Sequence, residues 1–475
     1  VEWRDILPES AKKTIKVPHH ILVPALGLAL LVLVLLGLAL PLSNLFIAAE
    51  ELPNKSSDDF SIVAKVLQRS CADCHGVDMT SYPIYFQFPV AKTVIERDIS
   101  EAQAVFKFNR EQLRGEESFS AVDLAKMAAA IGDGSMPPMR YKALHWNAAV
   151  DGQAKKIVLA FIKQKTAALA IGPIPVENQF NPDIKKVALG EKLFFDKRLS
   201  ADNTVSCASC HSLAKGGADG QSTSTGIHGQ KGPINSPTVY NAAFNFCQFW
   251  DGRAEDLQEQ AAGPLNNPVE MGSSWSQVLS KLGQDPQYVA LIKAAYGTPL
   301  NSANVSGVIG GALAEYEKTL LTPNSRFDKY LKGMQSALSA EEQQGYELFN
   351  DKGCASCHAG VALGGLSFEK MGVAKDYFAY RDKELGTRPS AADNGRYNVT
   401  KAECDRHKFK VPILRNIAQT APYFHDGTVC DLSKAVDIMA EYQKGSTLTR
   451  AENKAIVAFL NSLSGEYRGR SISLK

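Results

Sequence analysis

The sequence predicts a mainly α-helical protein, with an N-terminal transmembrane helix followed by three similar domains, the last two a duplicated pair. Three observations carry this. Apolar residues recur at helical spacing within polar flanks, and β-branched alternation is scarce. A C-x-x-C-H motif occurs three times, 136 and then 147 residues apart, close to one per domain length. Residues 21–42 form one apolar run without a charge.

Residues 1–20 read as a cytoplasmic arm carrying Arg4, Lys12, Lys13 and Lys16. As a helix at about 1.5 Å per residue, 21–42 spans roughly 33 Å, enough for a bilayer core. No Lys or Arg follows until Lys55, so the positive-inside rule sends the rest outward. The expectation is a single-pass anchor in a bacterial inner membrane, in contact with lipid, with the later domains in the periplasm. A cleaved signal peptide ending near Ala48-Ala49 is the rival. Residues 43–58 read as a tether. The domains then occupy 59–168, 177–335 and 336–465, with Ala170-Ile-Gly-Pro-Ile-Pro175 a linker and 466–475 a tail.

The last two domains share a helix leading to the motif, Gly190-Glu-Lys-Leu-Phe-Phe-Asp-Lys197 and Gly345-Tyr-Glu-Leu-Phe-Asn-Asp-Lys352. The first and last share a closing helix, Val158-Leu-Ala-Phe-Ile162 and Ile456-Val-Ala-Phe-Leu460. Composition excludes other classes. At 45% apolar and 21% charged the chain can build packed cores, which rules out wholesale disorder. A net charge of +2 lacks the basic excess of a nucleic-acid binder. Nine cysteines in 475 residues are too few for a disulfide scaffold.

Their spacing carries the chemistry. Cys71, Cys74 and His75, then Cys207, Cys210 and His211, then Cys354, Cys357 and His358 each pair two thiols one helical turn apart with an adjacent imidazole. The thiols can add to both vinyl groups of a haem, and the histidine then ligates the iron. A zinc half-site or a redox dithiol explains one such motif but not three. Three covalently bound haem c groups are expected.

A haem that only carries electrons keeps two protein ligands, whereas one that does chemistry needs an exchangeable site. In the first domain the Ser135-Met136-Pro137-Pro138-Met139 turn offers Met136, with Met139 and His145 behind it, against the plainer reading of a buried loop methionine. In the third domain Met439 is the candidate, against core packing on an amphipathic helix. The second domain instead has a glycine-rich loop carrying His228, a ligand able to leave, or merely a surface histidine. Trp250, Gln260 and Glu270 follow. A carboxylate by an open haem face could shuttle protons for peroxide, although residue type alone makes Glu270 a solvated acid.

From about residue 177 to 465 the chain resembles the bacterial di-haem cytochrome c peroxidases. The carrying stretches are Leu193-Phe-Phe-Asp-Lys-Arg-Leu-Ser200, Gly232-Pro-Ile-Asn-Ser-Pro-Thr-Val-Tyr-Asn241, Phe249-Trp-Asp-Gly-Arg253 and Thr420-Ala-Pro-Tyr-Phe-His-Asp-Gly427. The resemblance implies a peroxidatic haem on Cys207, Cys210 and His211, and an electron-transfer haem on Cys354, Cys357, His358 and Met439. It makes His228 the displaceable ligand, Glu270 and Gln260 the acid–base and orienting residues, and Trp250 the tryptophan between the haems. Asn235, Thr420 and Pro422 match a calcium site of the family. Cys71-Ala-Asp-Cys-His-Gly, Tyr82-Pro-Ile-Tyr85 and Met136-Pro-Pro resemble the membrane-bound tri-haem peroxidases, similar to quinol peroxidases.

The expected function is hydrogen peroxide reduction with electrons from membrane quinol. Soluble cytochrome c as donor is one alternative, and a non-catalytic tri-haem electron carrier is another. Cys404 and Cys430 are expected to pair in an oxidising compartment, and Cys247 to be a buried free thiol.

Overall fold

The computed structural model describes residues 58–77, 82, 84–119, 121–150, 152–165 and 170–472, with Ala39 and Leu42 besides. The chain falls into two compact units, one drawn from residues 1–99, 108–117 and 134–157, the other from 100–107, 118–133 and 158–475. Among the described residues no helix is long and apolar enough to cross a membrane. This corrects the expected fold class: the protein is mainly helical, but a transmembrane helix at its head is not supported. The single-pass inner-membrane placement with periplasmic domains falls with it, because the charge asymmetry orients the chain only if the apolar run spans a bilayer. The run 21–42 lies outside the described residues, Ala39 and Leu42 aside.

In the first unit, α1 (Asp58–Ser70) buries Phe60, Val63 and Leu67, which recur at helical spacing. It leads into α2 (Ala72–His75), the turn that carries the first motif. The strand-like Phe108 clamps that turn. Its N–H donates to the His75 carbonyl at 3.0 Å, and its carbonyl accepts from Val77 N–H at 2.8 Å. Later in the same unit, α3 (Met139–Leu144) carries Tyr141.

The second unit is built on one arrangement used twice. α4 (Ile184–Phe194) precedes the motif turn α5 (Cys207–Cys210), α6 (Leu257–Asn266) follows, and α7 (Val305–Glu317) returns to cross α4. In the second copy α8 (Ala340–Asp351) precedes the motif, α9 (Leu432–Ile438) follows, and α10 (Arg450–Asn461) crosses α8. Local chemistry starts the helices: the Asp183 carboxylate accepts from the Lys185 and Lys186 N–H groups, and Ser339 with Glu342 and Thr449 with Glu452 form capping boxes. A ribbon of β1 (Phe368–Lys370) and β2 (Lys408–Lys410), antiparallel with Glu369 opposite Phe409, covers one side of the second copy.

Both crossings need glycine. A Cβ on Gly190 would lie 1.9 Å from the Ala312 carbonyl oxygen, and one on Gly345 the same distance from that of Ala455. Around the first crossing Leu189, Leu193, Phe194, Ile309, Leu313 and Tyr316 form the core; around the second, Phe349, Ile456, Phe459 and Leu460 do.

Buried polar side chains join the copies. The Asn241 amide donates to Thr322 Oγ1 at 2.7 Å, its carbonyl oxygen accepts from Thr322 N–H at 3.0 Å, and the Asn416 amide donates to the same hydroxyl at 2.9 Å. The stretch Ala170–Pro175, read as a linker, is clamped rather than free. Fully buried Arg415 pairs with Asp328 at 2.8 Å and donates to the Gly172 carbonyl at 2.7 Å, while Asp328 accepts from Ile174 N–H at 3.0 Å.

Gly190→Ala and Gly345→Ala should each lower stability by about 1–3 kcal/mol, because backbone must move to admit the methyl group. Gly307→Ala, on α7 with open space at its Cβ, should be neutral or slightly stabilising. Urea unfolding midpoints check this; equal midpoints for all three variants would show that the crossings tolerate separation.

Candidate functional site

The second and third motifs open into a single cavity of the second unit, lined by Cys207, Cys210 and His211 at one part and by Cys354, Cys357 and His358 at another. Each histidine is held the same way. His211 Nδ1 lies 3.3 Å from the Gly217 carbonyl, and His358 Nδ1 lies 3.3 Å from that of Leu363. Only an N–H can satisfy a carbonyl, so the proton sits on Nδ1 and the Nε2 lone pair is left for a metal. Burial depresses both imidazoles, His358 to about 4, which keeps that lone pair available at neutral pH.

The thiols fit a haem and little else. Burial pushes Cys207 up to about 12 and Cys357 to about 11, and raises Cys210 and Cys354. A redox dithiol needs a depressed thiol, so these are poor ones. Among the described residues no three His, Cys, Asp or Glu side chains converge as a closed metal site requires. A thioether carries no charge, and a largely apolar cavity suits it.

The same cavity is lined by Gln260 on α6, by Trp250 and by Glu270, whose charge is felt by Cys210. Burial raises the Glu270 carboxyl above the ordinary range, while Asn267 donates to its Oε1 at 2.6 Å. Arg253 lines the same wall with its guanidinium 3.5 Å from the Phe249 ring centroid. His228 is not brought to this group. Its side chain is 68% exposed, with Nδ1 3.7 Å from Asp202 Oδ2. The loop under it is seated on the Glu270 turn: Ile227 N–H donates to the Glu270 carbonyl at 2.8 Å, and a Cβ on Gly226 would meet the Val269 carbonyl at 2.0 Å.

Met439 lines the same cavity, as the first residue of a π-helical turn, Met439–Gln443. Trp250 sits at the join of the two copies. Its indole N–H donates to the Asn235 carbonyl at 2.9 Å, and Asn235 N–H donates to the His425 carbonyl at 2.8 Å. Asn235, Thr420 and Pro422 all line the cavity. His425, read as structural, is buried with Nε2 2.8 Å from Asp393 Oδ1 and its ring stacked on Phe409.

Behind His425 lies a charge network that the sequence did not disclose. Buried Arg381 binds Asp393 through two nitrogens, at 2.6 and 3.0 Å, and reaches Asp426 at 3.2 Å. Burial opposes the Asp393 charge, but hydrogen bonds from His425 and Arg381 prevail and hold its carboxyl well below the usual range. Lys410 and Glu317 are further buried ionisable groups of the cavity wall. Only an alignment of the two copies would have singled out Glu317.

In the first unit His75 is buried, and burial pushes Cys71 up to about 12 and Cys74 to about 11. Met136 and Met139 are 43% and 77% exposed. His145 sits by the motif, its Nε2 3.9 Å from Asp73 Oδ2, to which Tyr141 also donates at 2.5 Å. Cys404 and Cys430 do not form the expected pair: both are free and exposed, and Cys247 is a buried free thiol. Their flanking positions in sequence set no geometry for a bond.

A family model described as di-haem cytochrome c peroxidase matches residues 184–336, and one described as a haem-binding domain matches 36–164. The cytochrome c peroxidase Ccp of Escherichia coli (strain K12) is 43% identical over 425 residues, covering 86% of this chain and 89% of that protein. The chain belongs to the di-haem cytochrome c peroxidase family. It is a peroxidase, and its family implies haem c. Another relative, the cytochrome c551 peroxidase of Pseudomonas aeruginosa, is 47% identical over 281 residues, 58% of this chain and 78% of that protein. A crystal structure of a MauG-like protein associated with microbial copper homeostasis matches with a TM-score of 0.53 at 29% identity, covering 63% of this chain and 94% of that one.

The network by His425 has a measurable cost of removal. Arg381→Met leaves buried carboxylates without their cation and should lower stability at neutral pH by about 3–5 kcal/mol. Asp393 has a folded-state pKa below its unfolded one, so its contribution is complete above about pH 3.9 and is lost as pH falls from there. Asp393→Asn should therefore flatten the acid limb of stability against pH, read from urea midpoints. An unchanged limb would remove Asp393 from the account.

Proposed function

We propose that this peroxidase carries three haem c groups and reduces hydrogen peroxide to two waters at the second, using electrons from a reduced c-type cytochrome. One observation carries the reading: a single cavity is lined by His211, Glu270 and Gln260 together with His358 and Met439, with Trp250 at the join of the two copies. The names of the relatives support a cytochrome donor. The quinol expectation rested on the anchor and loses its ground with it.

When bound, the haem supplies a centre where peroxide binds and electrons are accepted. Cys207, Cys210 and His211 would hold the peroxidatic group, Cys354, Cys357, His358 and Met439 the electron-transfer group, and Cys71, Cys74 and His75 the third. Methionine ligation raises a haem's potential, which suits a store of oxidising equivalents. For the first haem Met136 is the assigned sixth ligand, with His145 its competitor. Domain limits of 59–168, 177–335 and 336–465 go with this reading.

Two electrons and two protons convert one peroxide into two waters. Glu270 takes the proton of the inner peroxide oxygen and delivers it to the outer one, so that the leaving group departs as water rather than hydroxide. Its raised pKa suits an acid that must be protonated part of the time, and Asn267 fixes its orientation. Gln260 orients the peroxide by hydrogen bonding. His228 acts as the displaceable ligand, and its exposed position supports a pocket open to substrate. Trp250 fills the gap an electron has to cross. A calcium ion on Asn235, Thr420 and Pro422 would stiffen the join, which their shared cavity wall supports.

The test is anaerobic peroxide reduction by the holoprotein, with reduced cytochrome c and a reduced quinol analogue as separate donors. Turnover with cytochrome c and little with quinol is expected. None with either would overturn the enzyme reading in favour of a carrier. Glu270→Gln should keep the haem spectra while turnover falls by about 10²–10⁴-fold. The mass of the intact protein should carry three haems, and Cys71→Ala with Cys74→Ala should lose one of them.

A further inference from the structure

Glu317, the last residue of α7, has no part in the chemistry above. It is 6% exposed and lines the cavity, and its charge is felt by Cys207. Among the described residues nothing pairs or hydrogen-bonds with its carboxyl; burial acts on it alone and pushes it up to about 8.

The duplication supplies an internal control. Gly190 packs on Ala312 and Tyr316 as Gly345 packs on Ala455 and Phe459. That register matches Leu313 with Ile456 and Glu317 with Leu460, and all four line the cavity. At one position of one frame, the electron-transfer pocket has a leucine and the peroxidatic pocket an unpaired carboxyl. Leucine would be the more favourable occupant of such a site, because a buried polar group without a partner is costly. The difference falls where the proposed functions differ.

We propose that Glu317 is the redox-linked proton acceptor of the second haem pocket. When that site gains one electron from the electron-transfer haem of His358, the Glu317 carboxylate takes one proton from solvent and becomes the acid. Reoxidation releases both. No other bond changes, and the net charge of the pocket stays constant. In a low-dielectric interior an uncompensated electron is strongly penalised, so proton and electron are held together. Few groups compete for this role. From α5 the titratable neighbour is Cys207, which as a thioether does not titrate. Leu193, Phe194 and Leu265, which α4 and α6 bury against α7, are apolar; Glu191 on α4 acts on Tyr316, and Gln258 on α6 packs against Gly310 and Gly311. Glu270 and Arg253 share the cavity but do not perturb Glu317.

This rests on haem c being held by Cys207 and Cys210, not on peroxide turnover, so a failed peroxidase assay would leave it testable. Redox titration of the holoprotein at neutral to mildly alkaline pH, followed at the second haem, is the experiment. In the wild type its potential should fall as pH rises. In Glu317→Gln and Glu317→Leu the slope should flatten, with the electron-transfer haem of His358 unaffected. An equal slope in wild type and variants overturns the proposal. Should the variants lose haem, infrared redox-difference spectra of the wild type decide. A protonated-carboxyl band gained on reduction supports the proposal, and its absence overturns it.

Discussion

At Gly190, and again at Gly345, two helices cross so closely that no side chain fits between them. Everything in the second unit hangs on that contact. It fixes where α7 lies against α4 and α10 against α8, and so which of their residues face the space beyond each Cys-x-x-Cys-His turn. Leu313, Glu317, Ile456 and Leu460 reach the cavity wall because the crossings set their rotation. Separating the helices by the width of a methyl group would displace side chains that shape both pockets.

Upon this repeated frame the two pockets have diverged. Both keep the proximal arrangement, an imidazole whose Nδ1–H is tied to a backbone carbonyl. Their other walls differ. One has Met439 and Leu460, both apolar. The other has Glu270, Gln260 and Glu317, two carboxyls and an amide, and it lacks the side chain of His228. Trp250, tied by Asn235 to the His425 backbone, stands at the join. The buried Arg381–Asp393 pair holds the imidazole of that histidine.

Much of this was legible in the sequence. The three motifs fix the proximal groups by covalent spacing alone, and the likeness of residues 190–197 to 345–352 announces the duplication. Glu270, Gln260, Trp250 and Met439 share one cavity wall; the family resemblance singled them out, whereas residue type alone left Glu270 a solvated acid and Met439 a core side chain. What the sequence could not disclose depends on distant segments meeting. The Ala170–Pro175 stretch looks like free linker until Arg415 and Asp328 close on it. Cys404 and Cys430 flank one stretch yet remain apart, since nearness in sequence sets no Cα geometry. A charge-free apolar run suggested an anchor, but no described helix bears one out. Glu317 was visible as a letter; only the crossing register makes it the counterpart of Leu460.

The central claim is that one frame holds two unlike haem pockets, one open and one closed by methionine. Magnetic circular dichroism and resonance Raman spectra of the half-reduced holoprotein, with and without added cyanide, test it most directly. The account predicts one haem that turns from high-spin to low-spin on binding cyanide, beside a cyanide-insensitive haem with histidine and methionine ligands. Two low-spin haems in the second unit, both indifferent to cyanide, would contradict it.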